Sequence, residues 1–136
     1  MTVSELRTQI QEAWAHAKYP DDARISDEAS PAAMQVASFF HGKHRKDITL
    51  ETLRAYPGDA SACLGCMSAG AFQYYVPAYM LIALDRHENR EEPSYSQAWT
   101  IAASAVYNLN PPPFGRFKIE RLTLFSLPQR RAVTKY

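Results

Sequence analysis

The chain has 136 residues, 46% of them hydrophobic and 21% charged, with a formal net charge of +1. That length fits one domain, 1–136, which buries roughly two thirds of its unfolded surface and needs neither disulfides nor a metal to fold. The composition is that of a folded soluble protein, and its near-neutral balance argues against a dedicated nucleic-acid binder.

No early segment has the basic, apolar and small-residue succession of a signal peptide. The apolar run Ala69 to Leu84 is about 16 residues, short of the ~20 that a membrane span needs. The expectation is therefore a cytoplasmic protein with no membrane association and with Cys63 and Cys66 reduced. The charge is unevenly distributed. Residues 1–92 hold 13 acids against 9 Lys/Arg, and residues 93–136 hold one acid, Glu120, against 6 Lys/Arg.

Thr2 and Glu5 have capping-box spacing, in which each side chain satisfies a backbone N–H of the other residue. They open a first helix whose Leu6, Ile10, Ala13, Trp14 and Ala17 share a face. Tyr19-Pro20-Asp21-Asp22 ends it, since proline bars its predecessor from helical geometry. Ala23 to Ser30 reads as a polar connector. Ser30-Pro31 then places an N-cap before proline at the first helical position. Met34, Val36, Ala37 and Phe40 supply the apolar surface of that helix, and Gly42 its C-terminal cap. After the basic turn Lys43-His44-Arg45-Lys46, Thr49 caps a short helix with Leu50 and Leu53 inward. Tyr56-Pro57-Gly58-Asp59 is a turn by composition.

Ser68 caps a central helix, residues 69–86, that is apolar and aromatic on nearly every side. Such a helix is normally enclosed by its neighbours. Pro77 removes one backbone bond and crowds the Gln73 carbonyl, which predicts a kink. Asp85 to Glu92 reads as a charged loop. Ser94 and Gln97 form a second capping pair, opening a helix to about Tyr107 with Tyr95, Ala98, Trp99, Ala102 and Val106 on one face. Asn108 to Pro113 is an extended connector. Ser126 and Gln129 are a third capping pair, with Pro128 early in a last helix. The fold expected is all-α: a single compact domain of five or six helices around the Pro-kinked helix 69–86. Residues 117–125 fit neither period cleanly and are the one stretch open to a short strand.

Four residues have metal-ligand character, in the order His41-x-x-His44 and Cys63-x-x-Cys66. Paired short spacings let each pair chelate zinc. Lys43, Arg45 and Lys46 would repel a cation there, so two packed thiols and two surface histidines are the preferred reading, and no cofactor is expected. A redox role for Cys63 and Cys66 would need a thiol at a helix N-terminus. The expected helix starts beyond both. No G-x-S-x-G, H-E-x-x-H, P-loop or G-x-G-x-x-G is present, so no enzymatic activity is expected.

Two charged features remain. Arg116, Lys118, Arg121, Arg130, Arg131 and Lys135 could contact phosphates, with Phe114 and Phe117 interleaved for stacking. Acidic groups gather in two stretches: Asp21, Asp22, Asp27 and Glu28, then Asp85, Glu88, Glu91 and Glu92. Acidic loops on a rigid helical frame suit occlusion of a basic cleft on another protein.

Several phrases resemble a known family. They are Phe72-x-Tyr74-Tyr75-x-Pro77-Ala78-Tyr79, preceded by Phe40-x-Gly42-Lys43-x-x-x-Asp47-Ile48 and followed by Arg116-Phe117 and Leu127-x-Gln129-Arg130-x-Ala132-Val133. Together, over roughly residues 34–136, they resemble a family of small uncharacterised bacterial proteins, a domain of unknown function with an F-x-Y-Y-x-P-A-Y core helix. The resemblance carries no catalytic residue onto this chain. By analogy of protein type, small bacterial helical proteins of this kind are often immunity proteins. The leading expectation is thus a non-enzymatic cytoplasmic protein-binding module whose partner is a bacterial toxin, bound through the two acidic stretches. The alternatives are a zinc protein using His41, His44, Cys63 and Cys66, and a nucleic-acid binder using the basic C-terminal quarter.

Overall fold

A computed structural model describes residues 2–26, 29–89, 98–109 and 124–135. Among them are six α-helices, three 3-10 segments and no strand. The helices are α1 (Val3–Ala13), α2 (Pro31–Phe40), α3 (Leu50–Arg54), α4 (Ala69–Glu88), α5 (Ala98–Leu109) and α6 (Leu127–Lys135). The all-α expectation holds. Of the proposed strand, residues 117–123 lie outside the described residues, and Leu124 and Phe125 have turn and irregular backbone.

The helix starts follow from local chemistry. The Thr2 hydroxyl accepts from Glu5 N at 3.1 Å while Glu5 Oε2 accepts from Thr2 N at 3.0 Å. Ser126 and Gln129 repeat the pair on α6, at 3.3 and 3.0 Å. Ser30, Thr49 and Ser68 cap α2, α3 and α4 through Ala33, Thr52 and Ala71 N–H groups. Each cap satisfies a donor that has no partner inside its helix. The pair Ser94 and Gln97 lies outside the described residues.

α4 is the axis of the molecule. Eleven of its residues are buried, among them Phe72, Tyr74, Tyr75, Pro77, Tyr79 and Met80. Its most extensive packing is against α5, with α1 on another side, and α1 in turn packs on α6. Helix α4 continues through Pro77 without a break. The carbonyl that would have bonded to residue 77 belongs to Gln73, and the Trp14 indole Nε1 donates to it at 2.6 Å.

Several boundaries and faces depart from the sequence reading. α1 stops at Ala13, although the apolar period runs to Ala17. Its final carbonyls are taken by tertiary donors: Ala13 O by Gln129 Nε2 at 3.3 Å and Trp14 O by Arg45 at 2.8 Å. α4 runs to Glu88 and so absorbs half of the expected loop 85–92. Met34 points outward, whereas Val36 and Phe40 are buried as expected, together with Ala33. α5 buries Ile101, Ser104, Ala105, Asn108 and Leu109, whereas Val106 is exposed. The buried face of α5 escaped pattern reading because it is part polar. Ser104 is accommodated by donating to the Ser61 carbonyl, and Asn108 by donating to the Ser104 carbonyl. Between the turn at Tyr56–Asp59 and α4 lies a 3-10 segment, Ala60–Cys66, capped by Asp59 on Ser61 N at 3.0 Å.

Candidate functional site

The tyrosines of α4 are used to hold backbone. Tyr75 OH lies 2.6 Å from Lys43 O and 3.1 Å from Phe40 O. Tyr79 OH donates to Ala60 O at 2.9 Å, and Tyr74 OH accepts from Arg45 N at 3.2 Å. Three aromatic side chains thus fasten the α2–α3 connection and the Ala60–Cys66 segment to the central helix. Buried hydroxyls need such partners. Gly42, at φ +71, makes the turn that presents Lys43 and donates its own N–H to Tyr19 OH at 2.7 Å.

The four metal-type residues are distributed by the same packing. His41 ends α2 and is exposed, and His44 caps the 3-10 segment Arg45–Asp47 by accepting from Lys46 N at 3.1 Å. Cys63 is fully buried and Cys66 half-buried, both as free thiols. Among the described residues no three His, Cys, Asp or Glu side chains group so as to hold a metal ion. Burial pushes the Cys63 thiol up to about 11, with the Tyr79 and Tyr56 hydroxyls acting in the opposite direction. A thiol held protonated at neutral pH is a poor nucleophile and a poor ligand. Burial likewise pushes Tyr56 up to about 12 and Tyr79 well above its ordinary value.

The acidic residues fall into two separate places. Asp21 is exposed, with φ 96, and precedes a 3-10 turn that begins at Asp22. That φ is one which side chains other than glycine rarely adopt. This region is tied to the start of α4, because Ser68 N donates to Ile25 O at 2.8 Å. Asp85 and Glu88 occupy the last turn of α4 and share the Arg7 guanidinium, with Asp85 at 2.8 Å. Glu88 above all holds Arg7 above its ordinary value. Asp85 and Glu88 thus lie in the last turn of α4, whereas Asp21 and Asp22 belong to a separate 3-10 turn. Asp27, Glu28, Glu91 and Glu92 lie outside the described residues. So do Arg116, Lys118 and Arg121 of the basic quarter, while Arg130 and Arg131 are exposed on α6.

One cationic residue sits where sequence reasoning did not place it. Arg45 belongs by sequence to the basic turn Lys43-His44-Arg45-Lys46, yet it is 7% exposed. One of its terminal nitrogens donates to Trp14 O, its Nε has no hydrogen-bond partner, and among the described residues no carboxylate pairs with it. Burial pulls its guanidinium below the ordinary value. Arg45 lines a groove of about 910 Å³ between α1, α3 and α4. Nothing in the local sequence marks Arg45 apart from Lys43 or Lys46, because its burial depends on Trp14 and Tyr74.

The fold and these sites describe a small all-α protein. The chain belongs to a family of unknown function, DUF6714, whose model matches residues 2–136. No curated protein and no solved structure matches it. Among the described residues no helix is long and apolar enough to cross a membrane.

Proposed function

We propose that the chain is a non-enzymatic protein-binding module, and more specifically a cytoplasmic immunity protein that occludes a basic surface of a bacterial toxin. The observation that carries this reading is the acidic end of α4. Arg7 fixes both carboxylates, yet the side chains of Asp85 and Glu88 remain 47% and 42% exposed. Two acids oriented before an encounter lose little freedom on meeting a basic partner, and their outward oxygens are open to its cations. Cys63, Tyr75 and Tyr79 are engaged in the core.

The docking end is expected to be the one with Asp85 and Glu88. Asp21 and Asp22 belong to a separate 3-10 turn and are not part of that end. Neither the zinc nor the nucleic-acid reading gains an observation of its own. His41, His44, Cys63 and Cys66 form no metal-holding group, and of the basic quarter the described residues show Arg130 and Arg131 exposed on α6.

The test is co-expression with the product of the adjacent gene, scored by growth rescue and by co-purification. Wild type should rescue and co-purify in stoichiometric amount. Glu88→Lys should lose both while remaining folded. Absence of rescue and of a complex for wild type would count against the immunity reading.

A further inference from the structure

The groove between α1, α3 and α4 is lined by both apolar and charged residues. Ala78, Leu81 and Ile82 of α4 line it together with Arg45. A cation taken out of water without an anion is costly, and proteins normally offset it with a carboxylate. Arg45 has no such partner among the described residues, and its Nε is buried without a hydrogen bond. The Trp14 carbonyl offsets part of the cost but supplies no full negative charge. Lys46 lines the same groove and adds to the positive potential. The groove volume, about 910 Å³, lies in the range of small-ligand sites.

We infer that this groove binds a small amphiphilic carboxylate, its head against Arg45 and its aliphatic body along Ala78, Leu81 and Ile82. A monoanion fits better than a phosphate dianion. Glu51 and Asp85 also line the groove, and although Asp85 is engaged by Arg7, both oppose a second negative charge. A guanidinium also matches the planar geometry of a carboxylate. The inference does not depend on the protein partner proposed above, because its contacts are Arg45, Ala78, Leu81 and Ile82; Asp85 alone belongs to both surfaces.

Titration of the isotopically labelled full chain with octanoate, followed by amide chemical shifts, tests it. Acetate supplies the head alone and octanol the body alone. Octanoate should shift the Ile48, Thr49, Ala78 and Leu81 amides saturably, with acetate and octanol at least roughly tenfold weaker, the worth of one charge-assisted contact. Arg45→Lys should weaken octanoate by a similar factor. Because Arg45 also supports the core, Leu81→Asp and Lys46→Glu serve as second variants. Both change partly or fully exposed positions, and both should abolish the saturable shifts. No saturable response, an equal response to octanol, or shifts unaffected by Leu81→Asp and Lys46→Glu would each overturn the inference.

Discussion

The Trp14 indole donates to the Gln73 carbonyl at 2.6 Å, and that carbonyl is the acceptor left without a helical donor by Pro77. A proline in a helix interior normally costs about 3 kcal/mol, part of it from the lost bond. Here a side chain 59 residues earlier in the chain restores it. α1 is thereby fixed against the first half of α4, while Arg7 fixes it against the second.

Trp14→Phe should therefore cost about 1–3 kcal/mol for the unsatisfied carbonyl, beyond any loss of packing. In a Pro77→Ala background the new N–H of residue 77 takes the same acceptor, and the penalty should shrink by that amount. Urea denaturation of the four proteins in the cycle measures the coupling. Equal penalties in both backgrounds would show that the indole contributes by packing alone.

Gln129 is 5% exposed and joins three elements. Its Oε1 accepts from Ser126 N at 3.0 Å and from Gln73 Nε2 at 2.9 Å, and its Nε2 donates to Ala13 O. Gln129→Leu preserves much of the volume and removes all three bonds, leaving groups on α1, α4 and α6 unpaired. We expect a loss of about 1–3 kcal/mol, against less than about 0.5 kcal/mol for an exposed control such as Arg131→Gln. Similar unfolding midpoints for the two variants would refute the bridging role.

The Cys63 thiol, raised from 9.0 to about 11, gives alkaline sensitivity with a defined sign. Its folded form holds the proton more tightly than the unfolded chain does. Its contribution is therefore complete below pH 9 and is lost as pH rises through about 11. The amount is on the order of 2–3 kcal/mol. Stability should fall across this interval in wild type and fall less in Cys63→Ala, measured relative to each protein at neutral pH. A thiol reagent at neutral pH should modify the half-buried Cys66 first, and Cys63 only as the chain unfolds. Identical alkaline profiles for the two proteins would contradict this account.

Asp21 holds φ 96, a backbone conformation that costs about 1–3 kcal/mol for a residue with a side chain. Its side chain makes no capping hydrogen bond to the 3-10 turn that follows. Asp21→Gly should accordingly raise the melting temperature, with a net gain of about 1 kcal/mol after the entropic cost of glycine. An unchanged or lower melting temperature would mean that local contacts make up for the strain.

Caps and core periodicity could be read from the chain because they act over three or four residues. Thr2 with Glu5 and Ser126 with Gln129 formed as their spacing predicts, as did the caps at Ser30, Thr49 and Ser68. The end of α4 was misplaced because Asp85 and Glu88 are unfavourable near a helix C-terminus, where the macrodipole is negative. Arg7 offsets that, and it lies 78 residues from Asp85 in the sequence. Likewise Asp21 and Asp85 belong to acidic stretches that look alike in sequence, yet Asp21 precedes a 3-10 turn and Asp85 lies in the last turn of α4.

The sequence alone determined an all-α chain arranged around an apolar helix at residues 69 to 86, with tyrosines whose hydroxyls required partners. These follow from side-chain period, capping and the cost of burying an unpaired polar group. Only the tertiary structure decided where α1 ends, how far α4 extends, and that Arg45 is buried and not solvated. Each of these depends on a donor or acceptor brought in from a distant segment, Gln129 for Ala13, Arg7 for Glu88 and Trp14 for Arg45, and no local pattern records such partners.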